Sequence, residues 1–191
     1  MPIKIVALFG ESGTGKDTIA NILLAHDNDY YHKIVSHTTR PQREGEIEGF
    51  DYHYISNLEF IDLMLQDEFI EALEFNDWFY GATKSSLCSY KVNLGIFIPE
   101  GIENLFETAG AHNLQILPIR VLCSDKTRML RALNREESPD ISEICRRYQV
   151  DQEDFKDISF DYTTIGNDDK DKTNWTYYVD TVFDNCEAFF H

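Results

Sequence analysis

The chain has 191 residues, of which 42% are apolar and 13% aromatic, enough apolar surface for the core of one globular domain of ordinary size. Its formal net charge is −17 and its pI is about 4.6, and because such a surface repels nucleic acids and anionic membranes, we expect neither as a partner. The four cysteines show neither a CxxC pair nor metal-ligand spacing, and no segment has signal-peptide or membrane-spanning character, so we expect a cytoplasmic protein with reduced thiols.

Strands and helices alternate along the chain, which predicts an α/β fold with a mainly parallel sheet. The predicted core elements, in chain order, are a strand at 3–9, a helix at 16–26, strands at 33–35 and 95–98, a helix at 102–109, a strand at 114–123, helices at 125–136 and 141–155, a strand at 161–165 and a terminal helix at 175–190. The predicted elements between them are a polar loop at 37–50, a strand at 51–55, a helix at 57–66 capped by Asn57, and a hairpin of 69–75 with 78–83. We expect 36–90 to form a small antiparallel lobe inserted into a core made of 1–35 and 91–191.

A glycine-rich turn joins the first strand to the first helix, with the sequence Gly10-Glu11-Ser12-Gly13-Thr14-Gly15-Lys16-Asp17-Thr18. Strand, glycine-rich turn, lysine and helix together are typical of a phosphate-binding P-loop. The glycines permit positive φ, the turn amides point at phosphate oxygens, and the N-terminus of the helix adds its positive end. We therefore predict that this turn binds the phosphates of a nucleotide and that Lys16 neutralises the outer ones.

The residue after the P-loop lysine is usually Ser or Thr, whose hydroxyl holds Mg²⁺, and here it is Asp17, with Thr18 one place later. Asp17 is a candidate Mg²⁺ ligand, directly or through a water, because Mg²⁺ prefers oxygen ligands. Alternatively, Asp17 is only an acidic residue in the first turn of a helix, where the dipole favours it. The sequence leaves both alternatives open.

A second motif follows the second strand, with the sequence Ser36-His37-Thr38-Thr39-Arg40-Pro41-Gln42-Arg43-Glu44-Gly45-Glu46 and then Gly49-Phe50-Asp51-Tyr52. Two arginines three residues apart can clamp a phosphate dianion, and a tyrosine hydroxyl adds a donor. Downstream of a P-loop, this string resembles the segment of guanylate kinases that binds the nucleoside monophosphate. The resemblance covers Ile3 to about Asp169. It implies a P-loop NTPase fold of three α/β/α layers, an inserted monophosphate-binding lobe and a helical lid at about 128–147.

The resemblance also implies roles for individual residues. Those that would hold the phosphate of GMP are Ser36, Arg40, Arg43, Tyr52 and Tyr80. Glu71 would read the base, because a carboxylate accepts paired hydrogen bonds from N1–H and the exocyclic amine of guanine. Arg131 and Asn167 would lie near the adenine of ATP, and Arg135 and Arg147 would meet the transferred phosphoryl group.

Not every residue of the third cluster of cations can be catalytic. The cluster consists of Arg128, Arg131, Arg135, Arg146 and Arg147. Salt bridges on a helix surface are expected for one or two of these arginines. The candidate partners are Glu136, Glu137 and Glu143.

Three further positions depart from the family pattern. The acidic D-I-D string of the family falls at Phe97 and Pro99, which leaves Glu100 as the nearby carboxylate. The small hydroxyl residue two after the hairpin tyrosine falls on Ala82, with Thr83 beside it. We expect Asp17 to supply a carboxylate to the metal site in place of the lost acids. We also expect Glu100 and Thr83 to contact GMP.

These features predict a divergent guanylate kinase that converts ATP–Mg²⁺ and GMP to ADP and GDP by in-line phosphoryl transfer, in purine nucleotide metabolism. The altered base pocket keeps a deoxynucleoside-monophosphate kinase, for dGMP or dTMP, as an alternative. The absence of the D-I-D acids leaves open a second alternative, a non-catalytic guanylate-kinase-like binding module, although a scaffold has no need of Lys16. We expect ATP and GMP as small-molecule partners, Mg²⁺ as cofactor, and a monomer or a dimer.

Overall fold

A five-stranded parallel sheet lies at the centre of the computed structural model, which describes residues 1–135, 138–168 and 175–190. The strands and helices, in chain order, are β1 (Ile3–Phe9), α1 (Lys16–His26), β2 (Tyr31–Lys33), β3 (His37–Thr38), β4 (His53–Tyr54), α2 (Asn57–Leu65), β5 (Phe69–Phe75), β6 (Trp78–Thr83), β7 (Val92–Ile96), α3 (Pro99–His112), β8 (Leu114–Leu122), α4 (Asp125–Leu133), α5 (Ile141–Asp154), β9 (Thr163–Gly166) and α6 (Trp175–Phe190). The central sheet has the order β2-β7-β1-β8-β9.

Strand β1 occupies the middle of this sheet, and its residues 5–9 are fully buried. Parallel sheets are covered on both faces, which is why such a strand is a continuous apolar run. Val6 and Leu8 pack in one cluster with residues of α1 and α6, whereas Ile5, Ala7 and Phe9 pack in a second cluster with residues of α3. The predicted fold class is confirmed: helices cover both faces of a parallel sheet, in the order α/β/α.

A smaller four-stranded sheet, in the order β4-β3-β6-β5, is built from residues 37–83. Strands β5 and β6 form the predicted antiparallel hairpin, with Asn76 and Asp77 in the left-handed conformation of its turn. Phe60 of α2 stacks on one face of the sheet, with ring centroids 4.5 Å from Phe69 and 5.3 Å from Phe79. The pairing of β3 with β4 is parallel, so the lobe is mixed rather than antiparallel as we expected.

Several predicted boundaries are wrong by a few residues. The second strand lies at Tyr31–Lys33 and not at 33–35, and β3 lies within the predicted polar loop. Helix α2 is capped by Ser56, which forms a capping box with Glu59, and not by Asn57. Helix α3 starts earlier than predicted because Pro99 suits a first turn, where no backbone donor is needed. The β7 strand is 92–96, α4 stops at Leu133, and Glu136 lies outside the described residues.

Within these ranges, no helix has the combination of length and apolar character needed to cross a bilayer.

Candidate active site

The turn between β1 and α1 has the backbone of an anion-binding loop. Gly10 and Gly15 have φ of +145° and +93°. A Cβ on Gly10 would lie 2.5 Å from the backbone carbonyl oxygen of Val121, which leaves no room for another residue, and at Gly15 the positive φ favours glycine. Helix α1 begins at Lys16, and its unpaired N-terminal amides therefore face the loop.

The side chain of Lys16 folds back over the loop. Its Nζ donates to the carbonyl oxygens of Gly10, at 2.7 Å, and Glu11, at 3.1 Å. Burial lowers the pKa of Lys16, and the nearby carboxylates of Asp17, Asp151 and Glu11 oppose that shift. Among the described residues its hydrogen-bond acceptors are these two neutral carbonyls, which the ammonium can exchange for phosphate oxygens, the stronger acceptors.

Two of the predicted ATP-binding residues brace the loop from its outer side. Arg131 Nη1 donates to the carbonyl oxygens of Gly13 and Thr14, both at 3.2 Å, and its Nη2 donates to the Asn167 carbonyl at 2.9 Å. Asn167 Nδ2 donates to the Thr14 carbonyl at 2.6 Å. These hydrogen bonds fix the carbonyl oxygens of Gly13 and Thr14 and so hold the backbone of the loop in place.

Arg40 lies at the edge of the lobe and is held by a bidentate ion pair. Its guanidinium is 7% exposed and donates to both carboxylate oxygens of Glu46, at 2.9 and 3.0 Å. The Tyr54 hydroxyl and the Arg43 backbone amide also donate to Glu46. Burial opposes ionisation of Glu46, but the hydrogen bonds, first that from Arg40, lower its pKa to about 2. The side chain of Arg43 is exposed and makes no ion pair within the described residues.

A cavity of about 230 Å³ connects the loop to the lobe. Among its lining residues are Gly10, Ser12, Lys16, Ser36, Tyr52, Glu71 and Tyr80. Glu71 is 5% exposed, and its Oε1 accepts the Ala82 amide at 2.9 Å. Its Oε2 is buried and has no hydrogen-bond partner among the described residues. An unpaired buried acceptor is costly, so this oxygen indicates a place where a ligand donates a hydrogen bond.

Burial raises the pKa of Glu71 to about 8, against a weaker opposing effect of the Ala82 amide. Between the unfolded value of 4.5 and about 8, the folded chain therefore binds more protons than the unfolded chain, and the contribution of Glu71 to stability decreases as the pH rises. We expect Glu71→Gln, which cannot titrate, to lack this decrease. Urea unfolding of both proteins at about pH 6 and about pH 8 checks it: wild type should lose stability relative to the variant at the higher pH, and a constant difference would contradict the assignment.

Two predicted GMP contacts lie away from this cavity. Glu100 is exposed on α3, and the buried Thr83 has its Oγ1 3.0 Å from Oγ of Ser85. Strand β7 ends in an apolar wall of Ile96, Phe97 and Ile98. The structure instead brings two acids of α5 to the cavity, Asp151 and Asp154, which sequence analysis missed. The one sequence feature that could have indicated these two acids is their spacing of three residues, which places both on one face of a helix.

The arginines of the predicted lid include Arg135, Arg146 and Arg147. Arg146 and Arg147 both pair with Glu143 at 2.7 Å, which confirms the expected salt bridge on the helix surface, and these hydrogen bonds lower the pKa of Glu143 to about 2. Arg146 also donates to Oδ1 of Asn76 at 3.0 Å, and so connects α5 to the hairpin turn. Arg135 and Arg147 line cavities that Arg40 and Arg43 also line. Glu136 and Glu137 lie outside the described residues.

The P-loop fold, its lysine and an arginine-lined cavity beside it define the class of a nucleoside-monophosphate kinase. The family model described as guanylate kinase matches residues 3–177, and the chain belongs to the guanylate kinase family. The resemblance found in the motifs is thereby confirmed.

Relatives support the family assignment over most of the chain. A guanylate kinase of Rickettsia felis is 32% identical over an alignment of 198 residues including gaps, and the alignment covers 97% of this chain and 96% of that protein. A guanylate kinase of Rickettsia conorii is 31% identical over 182 residues, covering 88% and 73%. The crystal structure of guanylate kinase from Anaplasma phagocytophilum has a TM-score of 0.68 at 22% identity, over 98% of this chain and 87% of that one, which shows the same fold.

Proposed function

We propose that this protein transfers the terminal phosphoryl group of ATP to GMP, giving ADP and GDP. One observation carries the proposal: a single cavity is lined both by Lys16 of the loop and by Glu71, whose Oε2 is buried and unpaired. Donor and acceptor sites are therefore continuous, as in-line transfer between two phosphates requires.

Recognition of GMP is assigned to the lobe. Arg40 and Arg43 would clamp its phosphate, and the residues that would add hydroxyl donors are Ser36, Tyr52 and Tyr80. Glu71 would accept N1–H and N2–H of guanine as a pair, one through Oε2, which lacks a partner, and the other through the second lone pair of Oε1. Adenine has no N1–H, so AMP would leave that oxygen poorly satisfied. Asp154 lines the same cavity and would be a second carboxylate beside the base.

Transfer itself requires neutralisation of charge rather than a general base, because the acceptor phosphate is already an anion. Lys16 would hold the outer phosphates of the donor. Arg43, Arg135 and Arg147 would meet the migrating group, since the cavities that they line join at Arg40 and Arg43. Closure of α4 and α5 over the cleft would exclude water, which otherwise competes as acceptor.

The Mg²⁺ that accompanies ATP fits one carboxylate of this site. Asp17 is exposed in the first turn of α1 and faces the cavity that Arg40 and Arg43 line. The described residues contain no group of three or more His, Cys, Asp or Glu side chains that could hold a metal on its own. Mg²⁺ commonly binds through one or two carboxylates together with substrate phosphates, and Asp17 would hold it in that way. When bound, it would neutralise negative charge on the phosphates of the donor.

Substrate choice tests the proposal. ADP release is measured with ATP–Mg²⁺ and GMP, dGMP, AMP, UMP or dTMP in turn. We expect kcat/KM for GMP to exceed that for AMP by at least about 100-fold, because a site built around an unpaired acceptor rejects a base that cannot satisfy it. Equal rates with GMP and AMP, or a preference for dTMP, would contradict the guanine site. No turnover by folded protein would favour a binding module.

A further inference from the structure

Asp151 on α5 binds the donor loop directly. Its Oδ2 accepts the backbone amide of Ser12 at 2.9 Å, and its Oδ1 accepts the Ser12 hydroxyl at 3.3 Å. Asp151 is 7% exposed. Inward-pointing amides are the groups by which a P-loop binds phosphate oxygens. The Asp151 carboxylate therefore takes up a hydrogen bond of the kind that this loop offers to a phosphate.

A buried arginine fixes Asp151 in this position. Arg128 on α4 is 3% exposed, and its Nη2 donates to Asp151 Oδ2 at 3.1 Å. Its Nη1 lies 3.8 Å from Oε1 of Glu11, which also accepts Arg120 Nη2 at 2.7 Å. Two arginines and two carboxylates thus balance in charge, and they connect α4, α5 and β8 to the loop. Burial raises the pKa of Asp151, and the Ser12 amide and Arg128 oppose that shift.

Asp151 and Ser12 stand where the donor and acceptor cavities meet. Both line the cavity beneath α4 and α5, the cavity that contains Glu71, and the cavity that contains Arg40 and Arg43. In-line transfer places the terminal phosphate of the donor at this junction, next to the acceptor phosphate. A carboxylate bound there competes with that phosphate for the Ser12 amide and also repels it.

We propose that Asp151 is a latch: in the nucleotide-free protein it occupies the Ser12 amide and holds α5 against the loop, and the γ-phosphate of ATP displaces it. The inference rests on the proposed function, because it takes ATP as the donor. The latch lowers the affinity for ATP, which must displace it. We expect it to affect ADP far less, because ADP lacks the γ-phosphate that displaces the latch.

A double substitution tests the latch, since removing one partner of a buried ion pair alone is strongly destabilising. Arg128→Leu/Asp151→Ala removes both charges at constant net charge, and apolar replacement of such a pair is often neutral for stability. Lys84→Leu/Asp67→Ala, which removes an ion pair at 2.8 Å on the lobe, is the matched control. Calorimetry gives the Kd of a non-hydrolysable ATP analogue and of ADP, each with Mg²⁺. Asp151→Asn, of unchanged size, is the second variant if the double variant does not fold.

We expect the Kd of the ATP analogue to fall about tenfold in the double variant, and less but in the same direction in Asp151→Asn, because a charge-assisted hydrogen bond no longer competes. The Kd of ADP and both constants of the control should stay within about twofold. Equal changes for the two nucleotides, no change, or weaker binding of the ATP analogue would overturn the latch alone. Failure of wild type to bind either nucleotide would overturn the proposed function together with the latch.

Discussion

Replacing Lys16 with Met is expected to lower kcat about 100- to 1000-fold, the usual loss when one group that stabilises transition-state charge is removed. The ammonium is held by two carbonyl oxygens, those of Gly10 and Glu11, and not by a carboxylate. It is therefore available to the migrating phosphoryl group, whose negative charge no other lysine of the loop could neutralise. Met keeps the aliphatic stem, so we expect the melting temperature to change little. Steady-state kinetics with ATP–Mg²⁺ and GMP give the measurement.

The matched control is Lys91→Met. Lys91 precedes β7, which is parallel to β1, so it lies at the N-terminal ends of the strands, whereas the loop follows the C-terminal end of β1. Its Nζ donates to the carbonyl of Asn28. This variant should keep wild-type kcat. Turnover of Lys16→Met close to that of wild type would contradict the role of the loop in phosphoryl transfer.

Glu71→Gln is expected to lower kcat/KM for GMP about 100-fold and to leave the low rate with AMP nearly unchanged. The substitution preserves shape but fixes a donor at a position where the ionised carboxylate of Glu71 is an acceptor. If the Gln oxygen accepts the Ala82 amide as Glu71 Oε1 does, at 2.9 Å, the NH₂ group faces the cavity and meets the N–H donors of guanine. The NH₂ group of Gln and the N–H group of guanine are then two donors facing each other, and neither has an acceptor in this buried site.

Glu74→Gln is the control for this change, because Glu74 is exposed on the same strand, β5. It should leave kcat/KM for GMP and AMP as in wild type. A Glu71→Gln enzyme that still prefers GMP as strongly as wild type would show that another group reads the base, with Asp154 the first candidate since it lines the same cavity.

Local patterns were sufficient to predict most of the fold. The P-loop strand and helix, the β5–β6 hairpin and the terminal helix follow from apolar runs and turn residues that act over a few positions. The parallel pairing of β3 with β4 was not predictable, because each strand is two residues long and its partner is set by tertiary contacts. The start of α3 at Pro99 was missed because the apolar strand pattern continued into it.

The site residues, too, were predictable where they belong to a local motif and not where tertiary contacts bring them together. The loop, Arg40 and Glu71 belong to ordered strings with a clear chemical reason, so the sequence was enough to single them out. Asp151 and Arg128 lie 23 residues apart, and only folding shows that they pair with each other and with Ser12. In the sequence, Asp151 is one acid among the many of a chain with net charge −17. Burial is what distinguishes it from the others, and burial of a charged helix residue has no local signature.

Transfer from ATP to GMP is tested most directly by following the phosphoryl group itself. Wild-type protein is incubated with Mg²⁺, GMP and ATP that carries a radioactive label in its γ-phosphate, and the nucleotides are separated. A continuous site from Lys16 to Glu71 predicts that the label appears in GDP, with little free phosphate, because the closed cleft excludes water. Label that stays in ATP, or that appears only as inorganic phosphate, would contradict transfer to GMP.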